Sequence, residues 1–394
     1  MINLNVKTPA EFADICPIEE EDFKEKVAWL VEQEGYKQGF QYLMPNADYE
    51  QFKRLMLSFN TRFEFQNKGM RLCVEQIVNK TTSGLSITGE NTIDRDTPYT
   101  FISNHRDIVL DATLLNLMLV DSGHNTAQVA IGDNLLIYDW ITTLVRLNKS
   151  FVVKRGLGQR AVLEAAIQLS KYIHFTLTQR CDSVWIAQRQ GRSKDSTDNT
   201  QESLIKMLAL GGKSRSLIDN LMEINLAPVA ISYEYDPCDF LKAVEFLQKK
   251  RDPNFKKSQS DDLVSMSMGL RKFKGRVHYG LSPCINEQLA ALPRDIDKNT
   301  AAQRVCQIID QGIHANYRIY PGNYIAYDRL NGTQRFADQY TAADIEQFDT
   351  YINGQVSKVR LDLSEEDRKF IIEKMLVMYS NPLANKLAAT AQNA

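Results

Sequence analysis

The segment Phe101-Ile102-Ser103-Asn104-His105-Arg106-Asp107-Ile108-Val109-Leu110-Asp111 carries the densest set of reactive side chains in a sequence of 394 residues. A short apolar, strand-like run delivers one of only five histidines, flanked by carboxylates, to the start of an apolar helix-like segment. An imidazole serves as a base only when another group fixes its tautomer and balances its charge. Asp107 and Asp111 are both candidates for that role. Asp111 lies one to two helical turns beyond His105, whereas Asp107 also suits the first turn of the new helix as a cap. An isolated histidine at a strand end more often caps a helix or satisfies a carbonyl. Here Asn104, Arg106, Asp107 and Asp111 favour a base aimed at an acceptor hydroxyl.

Two further blocks offer anion-binding chemistry. No acidic residue occurs between Asp139 and Glu164, while Arg146, Lys149, Lys154, Arg155 and Arg160 all do. Lys154 and Arg155 directly follow the apolar run Phe151-Val152-Val153 and precede Gly156-Leu157-Gly158. A point charge and a planar fork of donors beside glycines suit a phosphate, although a solvated turn has the same composition. Gln188-Arg189-Gln190-Gly191-Arg192-Ser193-Lys194 repeats the arrangement after Val184-Trp185-Ile186, with three cations around a glycine and a serine. Gly211-Gly212-Lys213-Ser214 resembles the end of a phosphate-binding P-loop, but Met207 stands where that pattern needs its first glycine. The sequence also lacks the G-x-S-x-G elbow of serine hydrolases.

The elements that must position these residues divide the chain in three. Residues 1–80 read as helical: Phe23, Val27, Leu30 and Val31 recur on one face, as do Phe52, Leu55, Met56 and Phe59, with Asn46, Ala47 and Asp48 as a turn between them. Met70, Val74 and Ile77 mark a further helix, and this region reads as scaffold. From 81 to 298, short strands alternate with helices, the strands being read at 85–88, 99–103, 127–131, 150–153, 182–187, 226–233 and 276–281. This pattern predicts an α/β domain with a mixed, mainly parallel central sheet flanked by helices. Residues 299–394 read as C-terminal helices ending in a frayed small-residue tail, and residues 249–262 read as a linker or mobile loop.

Composition narrows the function class. A hydrophobic fraction of 43%, a charged fraction of 24% and a net charge of −2 are those of a folded protein with no general affinity for nucleic acid. The six cysteines (16, 73, 181, 238, 284 and 306) form no C-x-x-C pair, so neither a zinc ribbon nor a thioredoxin-type site is expected. Reduced thiols in a cytoplasmic protein are the expectation. Glu19, Glu20, Glu21 and Asp22 stand where a signal peptide would need an apolar region. No apolar run approaches the roughly 20 residues that span a bilayer, so any membrane contact is expected to be peripheral, on the inner face.

In this order, the blocks resemble the glycerolipid acyltransferase superfamily, whose members include glycerol-3-phosphate and lysophosphatidate acyltransferases. Asn104-His105-Arg106 resembles the opening of its signature, with Arg106 closer to the glycerol-3-phosphate branch, as is Ile131-Gly132-Asp133-Asn134-Leu135. Phe151 to Arg155 resembles the second block, Gly191-Arg192-Ser193 the third, and Leu226-Ala227-Pro228-Val229-Ala230-Ile231 the proline-bearing fourth. Two departures stand out. Five residues separate His105 from Asp111 where the signature has four, and Gln188-Arg189-Gln190 occupies a region that normally carries a glutamate.

The resemblance covers about residues 83–285 and implies O-acyl transfer from an acyl thioester, on coenzyme A or acyl carrier protein, to a hydroxyl of glycerol-3-phosphate or lysophosphatidate. His105 would be the base and Asp111, or else Asp107, its partner. Arg106, Lys154, Arg155, Gly191, Arg192 and Ser193 would bind phosphate, with no metal and no permanently bound cofactor. The altered third block leaves open another lipid acceptor, such as an amino-acid lipid. A noncatalytic lipid- or carrier-binding protein of the same fold is the alternative from another class. Leu135-Leu136-Ile137-Tyr138-Asp139-Trp140-Ile141 suits a membrane interface or core packing equally. The stretch from Lys242 to Arg276, with ten cations against four acids, suits anionic lipid, an acidic carrier protein or a solvated loop.

Overall fold

The computed structural model describes residues 2–3, 6–293 and 295–391. Seven strands form one sheet in the order β1-β7-β6-β2-β5-β3-β4: β1 (Gly84–Thr88), β2 (Thr100–Ser103), β3 (Gln128–Gly132), β4 (Ser150–Val153), β5 (Val184–Ala187), β6 (Leu226–Tyr233) and β7 (Arg276–Leu281). All neighbouring pairs are parallel except β6 with β7. The expected mixed, mainly parallel α/β sheet is therefore present. Its central strands are continuous apolar runs because helices cover both faces, and every residue of β6 is buried.

Pro228 sits inside β6, where a missing N–H normally breaks a ladder. Here it opposes Ile102 of β2, and the antiparallel ladder with β7 begins only at Val229. On one face of the sheet, Ile102, Ile186 and Ala230 pack with Tyr172, Ile173, Ile309 and Tyr317. On the other, Phe101, Trp185, Val229 and Ile231 pack with Leu114, Leu115 and Met118.

The helices ahead of the sheet build their own core from Phe23, Leu30, Phe40, Phe52, Met56 and Phe65, joined by Leu147 and Trp140 of the helix Asp139–Leu147. Asp48 caps the helix Tyr49–Ser58 by accepting from the amides of Glu50 and Gln51. A Cβ on Gly35 would fall 2.3 Å from the Trp140 indole nitrogen, so only glycine lets that ring lie on the helix Glu34–Leu43.

Two readings of the C-terminal half change. Residues 249–262 are not one linker: the helix Asp239–Arg251 runs into them and the helix Gln259–Arg271 begins within them, leaving 252–258 between. The cause is local, since Ser258 and Asp261 cap each other reciprocally and Lys249 pairs with Glu245 one turn earlier. The small-residue tail, expected to fray, stays helical to Ala391 because buried Leu383 and Ala389 anchor it.

β2, β3, β4 and β5 run parallel and end at one edge of the sheet. In such sheets, ligands gather outside the carboxyl ends of the strands. The histidine motif and both basic blocks emerge at this edge.

Candidate active site

The turn after β2 is held from within. The Asn104 amide donates to the carbonyl of Ile231 (2.9 Å) and accepts from its N–H (2.7 Å), extending the β2–β6 pairing by a side chain. His105 follows, with Nδ1 2.7 Å from Asp111 Oδ2. The same oxygen accepts from the backbone N–H groups of Arg106 (2.6 Å) and Asp107 (3.0 Å), and Oδ1 accepts from the Tyr233 hydroxyl (3.2 Å). With that many donors, the buried carboxylate leaves neither oxygen without a partner. Asp111 also lies in the first turn of the helix Leu110–Asp121, where the helix end favours an anion.

Asp107 takes the other role. Its Oδ1 accepts from the N–H groups of Val109 (2.9 Å) and Leu110 (2.8 Å), which caps that helix. Of the two candidate partners, the geometry joins Asp111 to the imidazole, and the residue extra to the four-residue spacing is taken up in the turn. Burial, and then the charge of Asp111, push the Asp107 carboxyl above its ordinary value. Gly269 presses on it from the helix Gln259–Arg271; a Cβ there would stand 1.8 Å from Asp107 Oδ2.

A hydrogen bond from Nδ1 to a carboxylate leaves the lone pair on Nε2. No hydrogen bond to Nε2 occurs among the described residues. The ring lies edge-on to Trp185 at 5.7 Å and lines a cavity of ≈ 1790 Å³. Much of the cavity wall is apolar and comes from the N-terminal helices, through Tyr36, Phe40, Phe52 and Met70, with Trp140 and Leu144 beside them. The region read as scaffold therefore also shapes the cavity.

Among the arginines that line the same cavity, Arg155, Arg189 and Arg192 come from the loops after β4 and β5. Nε of Arg189 and Nη1 of Arg192 are buried with no hydrogen-bond partner. Burial holds the Arg155 guanidinium below its ordinary value, with Asp133 partly offsetting. Its backbone N–H is tied to Asp133 (3.1 Å), and its Nε passes 3.1 Å from where a Cβ on Gly132 would be. Buried guanidinium donors without acceptors are costly unless a ligand completes them. Gly191 also lines the cavity, at φ 72° and with open space around its missing side chain. Arg189 was read as one of three cations in this block but not named among the phosphate ligands, although strand alternation was a usable signal. Period two places Arg189 with Ala187 and Trp185, on the side of the His105 ring, and Gln188 with Ile186 on the opposite face. The Gln188 side chain is buried there with both amide atoms unpartnered.

Several expected phosphate ligands are engaged elsewhere. Arg106 turns inward: its guanidinium donates to both carboxylate oxygens of Asp198 (3.2 and 2.6 Å) and to Ser196 (2.9 Å), all buried. Asp198 also accepts from the Tyr317 hydroxyl at 2.6 Å. Arg106 therefore joins two loops and does not line the cavity. Ser193 is buried and donates to Asp195 (3.3 Å) rather than facing the cavity. Lys154 reaches the cavity wall, but its charge is shared with Asp14 at 2.5 Å and its ammonium bonds Gln168. The cations from Lys242 to Arg276 are also largely matched, with Lys242 on Asp236, Arg251 on Asp367 and Arg276 on Glu234. In the segment 135–141, Tyr138 is exposed while Trp140 packs on Tyr36.

Among the described residues, no group of three or more His, Cys, Asp or Glu side chains is placed to hold a metal ion. No helix among them is long and apolar enough to cross a membrane. Residues 84–207 match the family model described as Acyltransferase. No curated protein matches the chain. Among solved structures, the chain is similar to the crystal structure of the 1-acyl-sn-glycerophosphate (LPA) acyltransferase PlsC from Thermotoga maritima, at 12% identity and a TM-score of 0.37, over 73% of this chain and 95% of that one.

Proposed function

We propose that residues 84–207, which match the Acyltransferase family model, form a glycerolipid acyltransferase domain and that the protein moves a fatty acyl group from a thioester to a hydroxyl of glycerol-3-phosphate or lysophosphatidate. One observation carries this reading. His105 is hydrogen-bonded through Nδ1 to a fully satisfied Asp111, and its ring faces an apolar cavity that also holds buried, unpartnered arginine donors.

The chemistry follows from that placement. Nε2 of His105 removes the acceptor hydroxyl proton while the hydroxyl oxygen attacks the thioester carbonyl. Asp111 stabilises the imidazolium that forms. The tetrahedral intermediate collapses with cleavage of the C–S bond, and the departing sulfur takes the proton from Nε2. General-base assistance of this kind contributes about 10²–10⁴-fold in rate. Arg155, Arg189 and Arg192 hold the acceptor phosphate, and the apolar wall holds the acyl chain. Fixing both partners converts a bimolecular step into a nearly unimolecular one. The donor is an acyl thioester of coenzyme A or acyl carrier protein, and no permanently bound cofactor takes part. A lipid product places the reaction at a membrane surface, with the protein bound peripherally.

The test is thiol release. Purified protein given an acyl thioester is expected to release thiol only when glycerol-3-phosphate or lysophosphatidate is added. Release with a total lipid extract, but with neither glycerol phosphate, would overturn the acceptor assignment.

A further inference from the structure

The cavity has a second set of cations that the proposed transfer does not use. Lys272 lines it just beyond the helix Gln259–Arg271, and Lys358 and Arg360 line it from the turn between the helices Ala342–Val356 and Glu365–Ala391. None of the three forms an ion pair with an acidic side chain among the described residues. The acids nearby are already engaged: Glu245 takes Lys194 and Lys249, Asp262 takes Lys257, and Asp261 caps its helix. Lys358 donates to Gln355 and lies 5.8 Å from the Phe240 ring centroid. Burial and the charge of nearby Lys272 hold its ammonium below the ordinary value, against the pull of Asp239. Beside these cations, Tyr42 and Val264 line the same cavity and are largely exposed.

Two segments far apart in the chain thus bring like charges together at the edge of an apolar cavity without supplying a counter-charge. Such a concentration of one sign attracts a polyanion and raises its local concentration. In the proposed reaction the acyl chain is buried and the thioester meets His105, so the rest of the donor must leave the cavity. That remainder carries phosphate in every thioester of phosphopantetheine. Arg155, Arg189 and Arg192 are reserved for the acceptor.

We propose that Lys272, Lys358 and Arg360 bind the phosphate-bearing handle of the acyl thioester donor. This assignment rests on the acyl-transfer reading of the cavity. It gives the C-terminal region, beyond the matched residues 84–207, a part in donor recognition. Exposed lysines and arginine make the contact sensitive to ionic strength.

The test uses the full chain carrying Lys272→Ala, Lys358→Ala and Arg360→Ala together, all at exposed positions. Coenzyme A is titrated calorimetrically without acceptor, and initial rates are measured with acyl-coenzyme A and with acyl carrier protein. The expected result is a tenfold or greater loss of coenzyme A affinity. A matching rise in donor KM should occur for at least one donor, with kcat and acceptor KM unchanged. A rise with acyl-coenzyme A identifies the nucleotide-borne handle, and a rise confined to acyl carrier protein identifies the protein-borne one. Unchanged coenzyme A affinity together with unchanged KM for both donors would overturn the assignment. So would a loss confined to binding of phosphatidylglycerol vesicles, which would make these cations a lipid-contact surface. If the wild-type protein acylates no acceptor yet loses coenzyme A affinity on triple substitution, the transfer reading falls and the handle site stands.

Discussion

The loop 104–111 and the loop 188–194 leave strands β2 and β5 at the same edge of the sheet, yet they treat their polar groups in opposite ways. In the first, the carboxylates of Asp107 and Asp111, the amide of Asn104 and the guanidinium of Arg106 all find protein partners. In the second, Arg189 Nε, Arg192 Nη1 and both amide atoms of Gln188 have none. A reacting base needs one fixed geometry before substrate arrives, so its supports must be complete in the free protein. A binding loop needs donors in reserve. The same residue type, arginine, serves structure in one loop and ligand in the other, and pairing rather than residue type separates the roles.

Substitutions that unbalance the two loops test this contrast. The largest effect is expected from Asp111→Asn, which removes the charge that orients His105 and should lower kcat by about 10²–10⁴-fold with little change in acceptor KM. Steady-state thiol release measures both constants, and a mainly KM effect would erase the distinction between the loops. Asp198→Ala leaves Arg106 buried without its counter-charge and should cost about 3–5 kcal/mol of stability, seen by denaturant unfolding. Little loss would show that Arg106 had found solvent or another partner. Arg192→Ala is expected to be milder. It removes charge-assisted hydrogen bonds of about 1.5–3 kcal/mol, which should appear as a raised acceptor KM at nearly constant kcat, with stability unchanged or improved because an unpartnered group is gone. The smallest effect concerns Asp107. Its raised pKa means that the folded state holds the proton better than the unfolded chain. Its stabilising contribution is therefore complete below its ordinary value near 3.8 and is lost as pH rises through the raised value. Asp107→Asn should keep the cap, since asparagine also caps helices, and should flatten the fall in melting temperature with rising pH.

Local chemistry made the framework readable. The strands 150–153, 226–233 and 276–281 fall where they were read, the first two because strands buried on both faces are mostly apolar in sequence. His105 stood out for its charged neighbours, but six residues of spacing cannot decide which aspartate a turn folds back. Coordinates were needed to join Asp111 to the ring. The inward turn of Arg106 was not legible because its partner Asp198 lies 92 residues on. The start of the helix Gln259–Arg271 passed for linker because apolar residues sit on both its outer and inner sides, with Leu263 and Val264 exposed and Leu270 packed inward, so no single face repeats. The cations Lys272, Lys358 and Arg360 come from separate segments that only the fold brings to one cavity.

The central claim, that a preorganised base in the first loop drives transfer to an acceptor held by the second, is tested most directly by His105→Ala. Thiol release would be measured at saturating donor and glycerol-3-phosphate on protein shown to be folded by circular dichroism. The account predicts release at the level of the acceptor-free control. Turnover equal to the wild type would contradict it.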